Sequence, residues 1–313
     1  MSIPFRQLGL CLLLLASNIV RAQAKAIDVV VSIEPVHSLV AGVMAGVAEP
    51  ELLIKGSQSP HEFSLRPSDM RALSAADLIV WVGPGLETAL SGLLSKGGLH
   101  AKVMTLAGDD NPDLLPTREG VDWESHAHPM PAEPADHETA HADETDSHIW
   151  LSPRIARRIV QQVSDTLALM DSANAGRYRD NAARLIVRLQ QLDDRLRAQL
   201  EPVRERPYIV FHDAYHYFEQ HYGLNAVGSV SISPERAPGA RRVHELRQKI
   251  LQLNARCVFT EPQFQPRLIG TLVEGTHAKI GQLDPLGSDL TPGPEAYFQL
   301  MQRLADNLVD CLK

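Results

Sequence analysis

At 313 residues, with 44% apolar and 22% charged side chains, the chain is long enough for two packed domains and too rich in core-forming residues to be disordered. A formal net charge of −8 excludes a nucleic-acid binder, which needs a basic surface. The charge is also local: residues 109–147 hold twelve acids against the single Arg118, a balance of −11, so the remainder is nearly neutral.

The N-terminus reads as an address rather than as fold. Arg6 precedes the apolar run LGLCLLLLASNIV, too short for a stop-transfer helix, and Ala22-Gln23-Ala24 forms a small-x-small cleavage site before Lys25. Residues 1–24 are therefore expected to direct export and to be removed near Ala24. Cys11 has leucines on both sides and lacks the small residue expected before a lipid-modified cysteine, so no membrane anchor is expected. Two cysteines remain, Cys257 and Cys311, in a compartment that permits oxidation. They read as one disulfide closing a loop of about 55 residues, worth roughly 4 kcal/mol on the chain-entropy model. A two-thiolate metal site is the alternative, and its spacing matches no zinc module.

In chain order, strand Ile27 to Ile33, helix Val36 to Val47, strand Glu51 to Ile54, helix Pro67 to Ser74 and strand Leu78 to Val82 alternate. Short Val/Ile/Leu runs alternating with helices predict a parallel sheet wrapped by helices. Residues 109–147 follow as an acidic loop expected to be disordered. His148-Ile149-Trp150-Leu151 then reads as a strand, and Ser152-Pro153 supplies an N-cap and a first-turn proline to a helix carrying Ile155, Ile159, Val163, Leu167 and Met170. A second apolar stripe, Tyr178, Ala182, Leu185, Leu189, Leu192, Leu196, Leu200 and Val203, keeps helical spacing over about 29 residues, or roughly 43 Å. Strand texture resumes at Tyr208 to Phe211 and Val227 to Ile232, followed by a helix from about Gly239 to Leu253 and the strand Cys257 to Thr260. The predicted architecture is α/β, with two lobes at 25–172 and 205–313, each a parallel sheet flanked by helices, joined by one long rigid helix over 173–204.

Metal-seeking side chains fall in two groups. The acidic loop carries His126, His128, His137 and His141 among eight acids between Asp122 and Asp146, a composition that binds divalent transition ions weakly and in several geometries. Four other positions stand just after predicted strands, where ligands of two-lobed α/β proteins bind: His61 in SPHEFSLRPSD, His148 in DSHIWLSP, His212 in FHDAY and Asp284 in GQLDPLG. Taken singly, a histidine is more often a packing or surface residue, and Asp284 before Pro285 could simply start a turn.

Together with SPHEFSLRPSDMRALSAADLIVWVGP, HIWLSP, VFHDAYHYFE, CVFTEPQFQP and LDPLG, these positions resemble the zinc-uptake solute-binding proteins of bacterial ABC transporters, within the larger cluster A-I group that binds zinc or manganese. The motifs occur in that family's order over essentially the whole mature chain. The resemblance implies a monomeric periplasmic protein, not an enzyme, that captures Zn²⁺ between its lobes through His61, His148 and His212 and delivers it to a membrane permease. Three neutral imidazoles suit Zn²⁺, whereas Mn²⁺ takes more carboxylate oxygen. Some zinc members carry a glutamate ligand just before the first histidine; here that residue is Pro60, so Asp284 or water is expected to complete the tetrahedron. A manganese or iron binder of the same fold is the nearest alternative. A secreted zinc hydrolase is the alternative from another class, and it is opposed by the lack of an HExxH pair. The acidic loop is expected to act as an accessory that concentrates ions.

Overall fold

The computed structural model describes residues 27–94, 97–108, 111–118, 145–231, 239–262 and 267–313; the export segment 1–24 and His126, His128, His137 and His141 lie outside the described residues. The first lobe is built on β1 (Val29–Val31), β2 (Glu51–Leu52), β3 (Leu78–Trp81) and β4 (Lys102–Thr105), all parallel, in the order β2-β1-β3-β4. β1 and β3 are unbroken apolar runs, VVV and LIVW, and every residue in them is buried, as a strand covered on both faces requires. Around the sheet lie α1 (Glu34–Met44), α2 (Pro67–Ala75) and α3 (Thr88–Leu94). Helix α2 starts at Pro67, and the Asp69 carboxylate accepts the Arg66 N–H at 2.8 Å, so proline and carboxylate together set its first turn.

Two helices follow. α4 (Pro153–Met170) is capped by Ser152, whose hydroxyl accepts the Ile155 N–H at 3.3 Å. α5 (Ala175–Leu200) runs 26 residues, about 39 Å at 1.5 Å per residue. Its buried stripe is Tyr178, Ala182, Leu185, Leu189, Leu192, Leu196 and Leu200, and it packs on α4 and α1 on one side and α9 on the other. Gly42 permits the α1–α5 approach, since a Cβ there would stand 2.8 Å from Leu185 Cδ2. Asn181 donates to the carbonyls of Val43 (2.8 Å) and Ala45 (2.9 Å), satisfying the free end of α1.

The second lobe repeats the plan with β5 (Tyr208–Val210), α6 (His216–Tyr222), β6 (Ala226–Ser229), α7 (Ala240–Leu253), β7 (Cys257–Thr260), α8 (Arg267–Val273), β8 (Lys279–Gln282) and α9 (Ala296–Leu312). Its strand order is β6-β5-β7-β8, again all parallel. One apolar core runs from β1 and β3 through α1, α4 and α5 into α9, and a smaller one fills the outer face of the second sheet around Ile209, Val258 and Leu272. Cys257 on β7 and Cys311 on α9 form the expected disulfide. Trp150 Nε1–H donates to the Pro285 carbonyl (2.8 Å), Tyr297 O–H to the Trp150 carbonyl (2.8 Å) and Tyr297 N–H to the Ser38 hydroxyl (2.9 Å), so buried hydrogen bonds join the two lobes. No described helix is long and apolar enough to cross a membrane.

Two expectations are corrected. Ile149–Leu151 is a single 3-10 turn, not a strand, with His148 at its N-terminal end; its residues are all buried, and a short apolar run does not by itself distinguish strand from helical turn. The acidic segment expected to be disordered over 109–147 has ordered ends: Pro116 and Thr145 form an antiparallel bridge, and the Asp146 N–H donates to the Leu115 carbonyl at 2.9 Å.

Glu34, the first residue of α1, is buried, with the Gly293 amide beside its carboxylate. Burial pushes its carboxyl up to about 7, against the pull of the Gly293 amide across the lobe junction. With the folded value above the unfolded one, its contribution is fully present below pH of about 4.5 and is lost as pH rises through about 7. Glu34→Gln is therefore expected to unfold at a higher temperature than the parent at about pH 8 and to lose most of that advantage at about pH 5; an equal gap at both pH values in thermal melts contradicts this.

Candidate metal centre

In each sheet the first strand has its neighbours on opposite sides, so the crevice at the strands' carboxyl ends opens beside it. His212 follows β5, and Glu261 follows β7 directly. His61 lies between β2 and α2, and His148 lies between β4 and α4 at the start of the 3-10 turn. The three imidazoles converge from both lobes. Their ring centroids are 5.6 Å (His61–His148), 6.2 Å (His61–His212) and 5.3 Å (His148–His212) apart, and one ring nitrogen from each lies within 4.8 Å of the others. An ion at the centre of such a triangle is within about 2.8 Å of each nitrogen, so inward rotations of under about 1 Å reach the Zn–N distance of about 2.1 Å.

Two of the rings are held from behind. The Asp146 carboxylate takes His148 Nδ1 at 2.8 Å and the His148 backbone N–H at 2.9 Å through the same oxygen. The Glu261 carboxylate takes His212 Nδ1 at 2.7 Å and also accepts the Tyr215 hydroxyl at 3.3 Å. A carboxylate at Nδ1 fixes the tautomer and leaves Nε2 bare and more basic, as behind metal-bound histidines. No comparable carboxylate pairs with His61 among the described residues. Burial first, then the other two imidazoles, pushes its pKa down to about 3, so that ring too offers a neutral lone pair.

Residues 29–311 match the family model ZnuA, zinc-uptake complex component A periplasmic. The chain belongs to the ZnuA family. It is 42% identical over 304 residues to the high-affinity zinc uptake system protein ZnuA of Brucella abortus (strain 2308), covering 91% of each chain. It is 36% identical over 295 residues to that of Yersinia pestis, again covering 91% of each. A crystal structure of ZnuA superposes with a TM-score of 0.75 at 25% identity, covering 92% of this chain and all of the other. FpvC from Pseudomonas aeruginosa in complex with Mn²⁺ superposes with a TM-score of 0.74 at 20% identity, covering 92% of this chain and 98% of that one. The ZnuA fold alone thus does not choose the ion; the donor side chains have to.

Asp284 lies two residues beyond the end of β8. Its carboxylate accepts the N–H groups of Leu286 (3.0 Å) and Ser288 (2.7 Å) and the Ser288 hydroxyl (2.8 Å), and it is not part of the 4.8 Å cluster. The reading of Asp284-Pro285 as a turn start describes this geometry. Glu62 is exposed. Asp213 and Glu219 pair with Arg118, and His216 approaches Asp146, with Nδ1 3.7 Å from Oδ2. His221 is bound to Asp193 on α5 at 2.8 Å and so belongs to the lobe–helix contact. His37 packs inside α1 with Nε2 3.0 Å from the Pro50 carbonyl. Trp150 is buried 5.4 Å from the His148 ring.

Asp146, Glu261 and Tyr215 were not singled out from the sequence, although Asp146 stands two residues before His148 and Glu261 opens EPQF at the end of β7. Asp146→Asn and Glu261→Gln, titrated with Zn²⁺ against a chelator, are each expected to lose about tenfold or more in affinity, within the 10–100-fold typical of such partners. Unchanged affinity in both variants contradicts a supporting role.

Proposed function

We propose that the chain is a periplasmic solute-binding protein that captures Zn²⁺ between its lobes through His61, His148 and His212 and delivers it to the permease of an ABC transporter. The observation that carries this reading is the convergence of three imidazole nitrogens within 4.8 Å, two of them backed by buried carboxylates. Three neutral nitrogen donors and one water make a tetrahedral site for Zn²⁺, while Mn²⁺ favours more oxygen and higher coordination. Water takes the fourth position in this reading, since Asp284 lies outside the histidine cluster and is engaged in its own turn. The site is a binding centre rather than a catalytic one, in keeping with relatives named for zinc uptake. Export through residues 1–24 brings the protein to the periplasm. The acidic, histidine-rich residues 122–146 raise the local ion concentration beside the centre.

The test is metal content of the mature protein lacking residues 122–146, with zinc and manganese offered together. One zinc per chain is expected, with affinity falling by more than about a hundredfold in His61→Ala or His212→Ala, beyond the loss typical of a partner behind a ligand. Zinc lost together with residues 122–146, or manganese bound in preference, defeats the reading. Separately, deleting 122–146 is expected to slow zinc uptake by cells at limiting metal while leaving that one tightly held zinc in place; uptake equal to the parent's removes the accessory role.

A further inference from the structure

The two ordered ends of the acidic segment meet beside the metal centre and are fastened to the opposite lobe. The chain leaves the first lobe after β4, and Leu115 and Pro116 pair with Thr145 and Asp146 through the Pro116–Thr145 bridge and the Asp146 N–H to Leu115 carbonyl bond (2.9 Å). The Tyr217 hydroxyl on α6, a helix of the second lobe, closes this pair. It accepts the Leu115 N–H at 2.9 Å and donates to the Asp146 carbonyl at 2.8 Å. Three residues further on, Arg118 grips the second lobe again, with Nε 2.9 Å from Asp213 Oδ2 and one terminal nitrogen 2.8 Å from Glu219 Oε2. Glu219 is buried and also accepts the Tyr208 hydroxyl at 3.3 Å.

The residue held between these anchors is Asp146, whose side chain fixes the His148 ring and its backbone N–H. His148 belongs to the first lobe by sequence, yet the carboxylate that aims it is positioned from the second lobe through one phenol. We propose that this clasp, closed by Tyr217 and Arg118, sets the rate at which zinc leaves: Tyr217 is a positioning residue that acts on His148 through Asp146. The inference rests on the three-histidine reading above. With the clasp closed, Asp146 cannot shift and the His148 nitrogen stays aimed at the ion. With it open, the ring is free to turn away, and one of three protein ligands is lost. Because the clasp joins the lobes, a permease that moves one lobe against the other would pull on Tyr217 and release His148 first.

The experiment uses the full mature chain loaded with Zn²⁺, and reads association and chelator-driven dissociation separately by stopped flow. Tyr217→Phe, which keeps the buried ring and removes both hydrogen bonds, is expected to release zinc about tenfold faster, equivalent to about 1.4 kcal/mol, with association within about twofold of the parent and one zinc still bound per chain. The visible spectrum of the Co²⁺-loaded variant should shift, reporting altered ligand geometry. Tyr222→Phe removes a buried hydroxyl from the same helix that faces Asp193 of α5 rather than the clasp and is expected to match the parent in all three readouts. If Tyr217→Phe does not fold, Arg118→Gln opens the other anchor and is read in the same way. Dissociation at the parent's rate in the folded clasp variant, or an equal acceleration in Tyr222→Phe, overturns the proposal. A parent protein that holds its zinc without the three histidines defeats the binding reading itself and is told apart by the His61→Ala and His212→Ala variants.

Discussion

Three imidazoles drawn from two lobes can share one ion only if the lobes keep their separation to within a fraction of an ångström, and α5 imposes that constraint. A metal–nitrogen bond tolerates little stretching, whereas lobes on a flexible hinge move by several ångströms. The stripe from Tyr178 to Leu200 buries one side of α5 against helices of both lobes, so the spacing is set by side-chain packing, which resists small displacements. The polar residues in that stripe add direction. Asn181 caps α1 of the first lobe. Asp193 takes Arg157 of α4 and His221 of α6; burial pushes its carboxyl up, but pairing with the His221 ring and with Arg157 holds it below the usual range.

Within that frame the ligands differ. His148 and His212 are buried and each has a carboxylate at Nδ1, so their rotamers are fixed before any ion arrives. His61 is half-buried, sits between β2 and α2 and has no such carboxylate among the described residues. A pair fixed in advance lowers the ordering cost of binding.

Much of this was readable from residues. Continuous apolar runs located β1, β3, β5 and β7, helical periodicity located α4 and α5, and Ser152-Pro153 marked the start of α4 to the residue. His61 and His212 stood out in loops after predicted strands, and His148 because it opens the ordered run HIWLSP that ends the acidic segment. The supporting carboxylates did not, because their role depends on contacts distant in sequence: Glu261 reaches His212 across 49 positions and Tyr217 reaches Asp146 across 71. Asp146 was hidden in another way. It closes a run of acids whose composition reads as solvated, and only the Pro116–Thr145 bridge separates its ordered end from the rest. The strand expected at Ile149–Leu151 failed because burial on all sides gives a helical turn and a core strand the same apolar signature.

The placement of the carboxylates bears on the choice of ion as well as on rigidity. An acid bound directly to the metal adds hard oxygen and a full charge, conditions under which Mn²⁺ competes well. Set behind an imidazole, as at His148 and His212, the acid orients the ring without offering its own oxygen to the ion. The centre then keeps a neutral, all-nitrogen protein face, and the favoured geometry is the four-coordinate one that Zn²⁺ adopts without penalty. The turn at Asp284 works in the same direction: two backbone amides and a hydroxyl hold its oxygens, so swinging the carboxylate toward the ion would strain hydrogen bonds worth about 1 kcal/mol each. On the zinc reading, selectivity therefore rests on keeping nearby carboxylates engaged elsewhere as much as on the histidines.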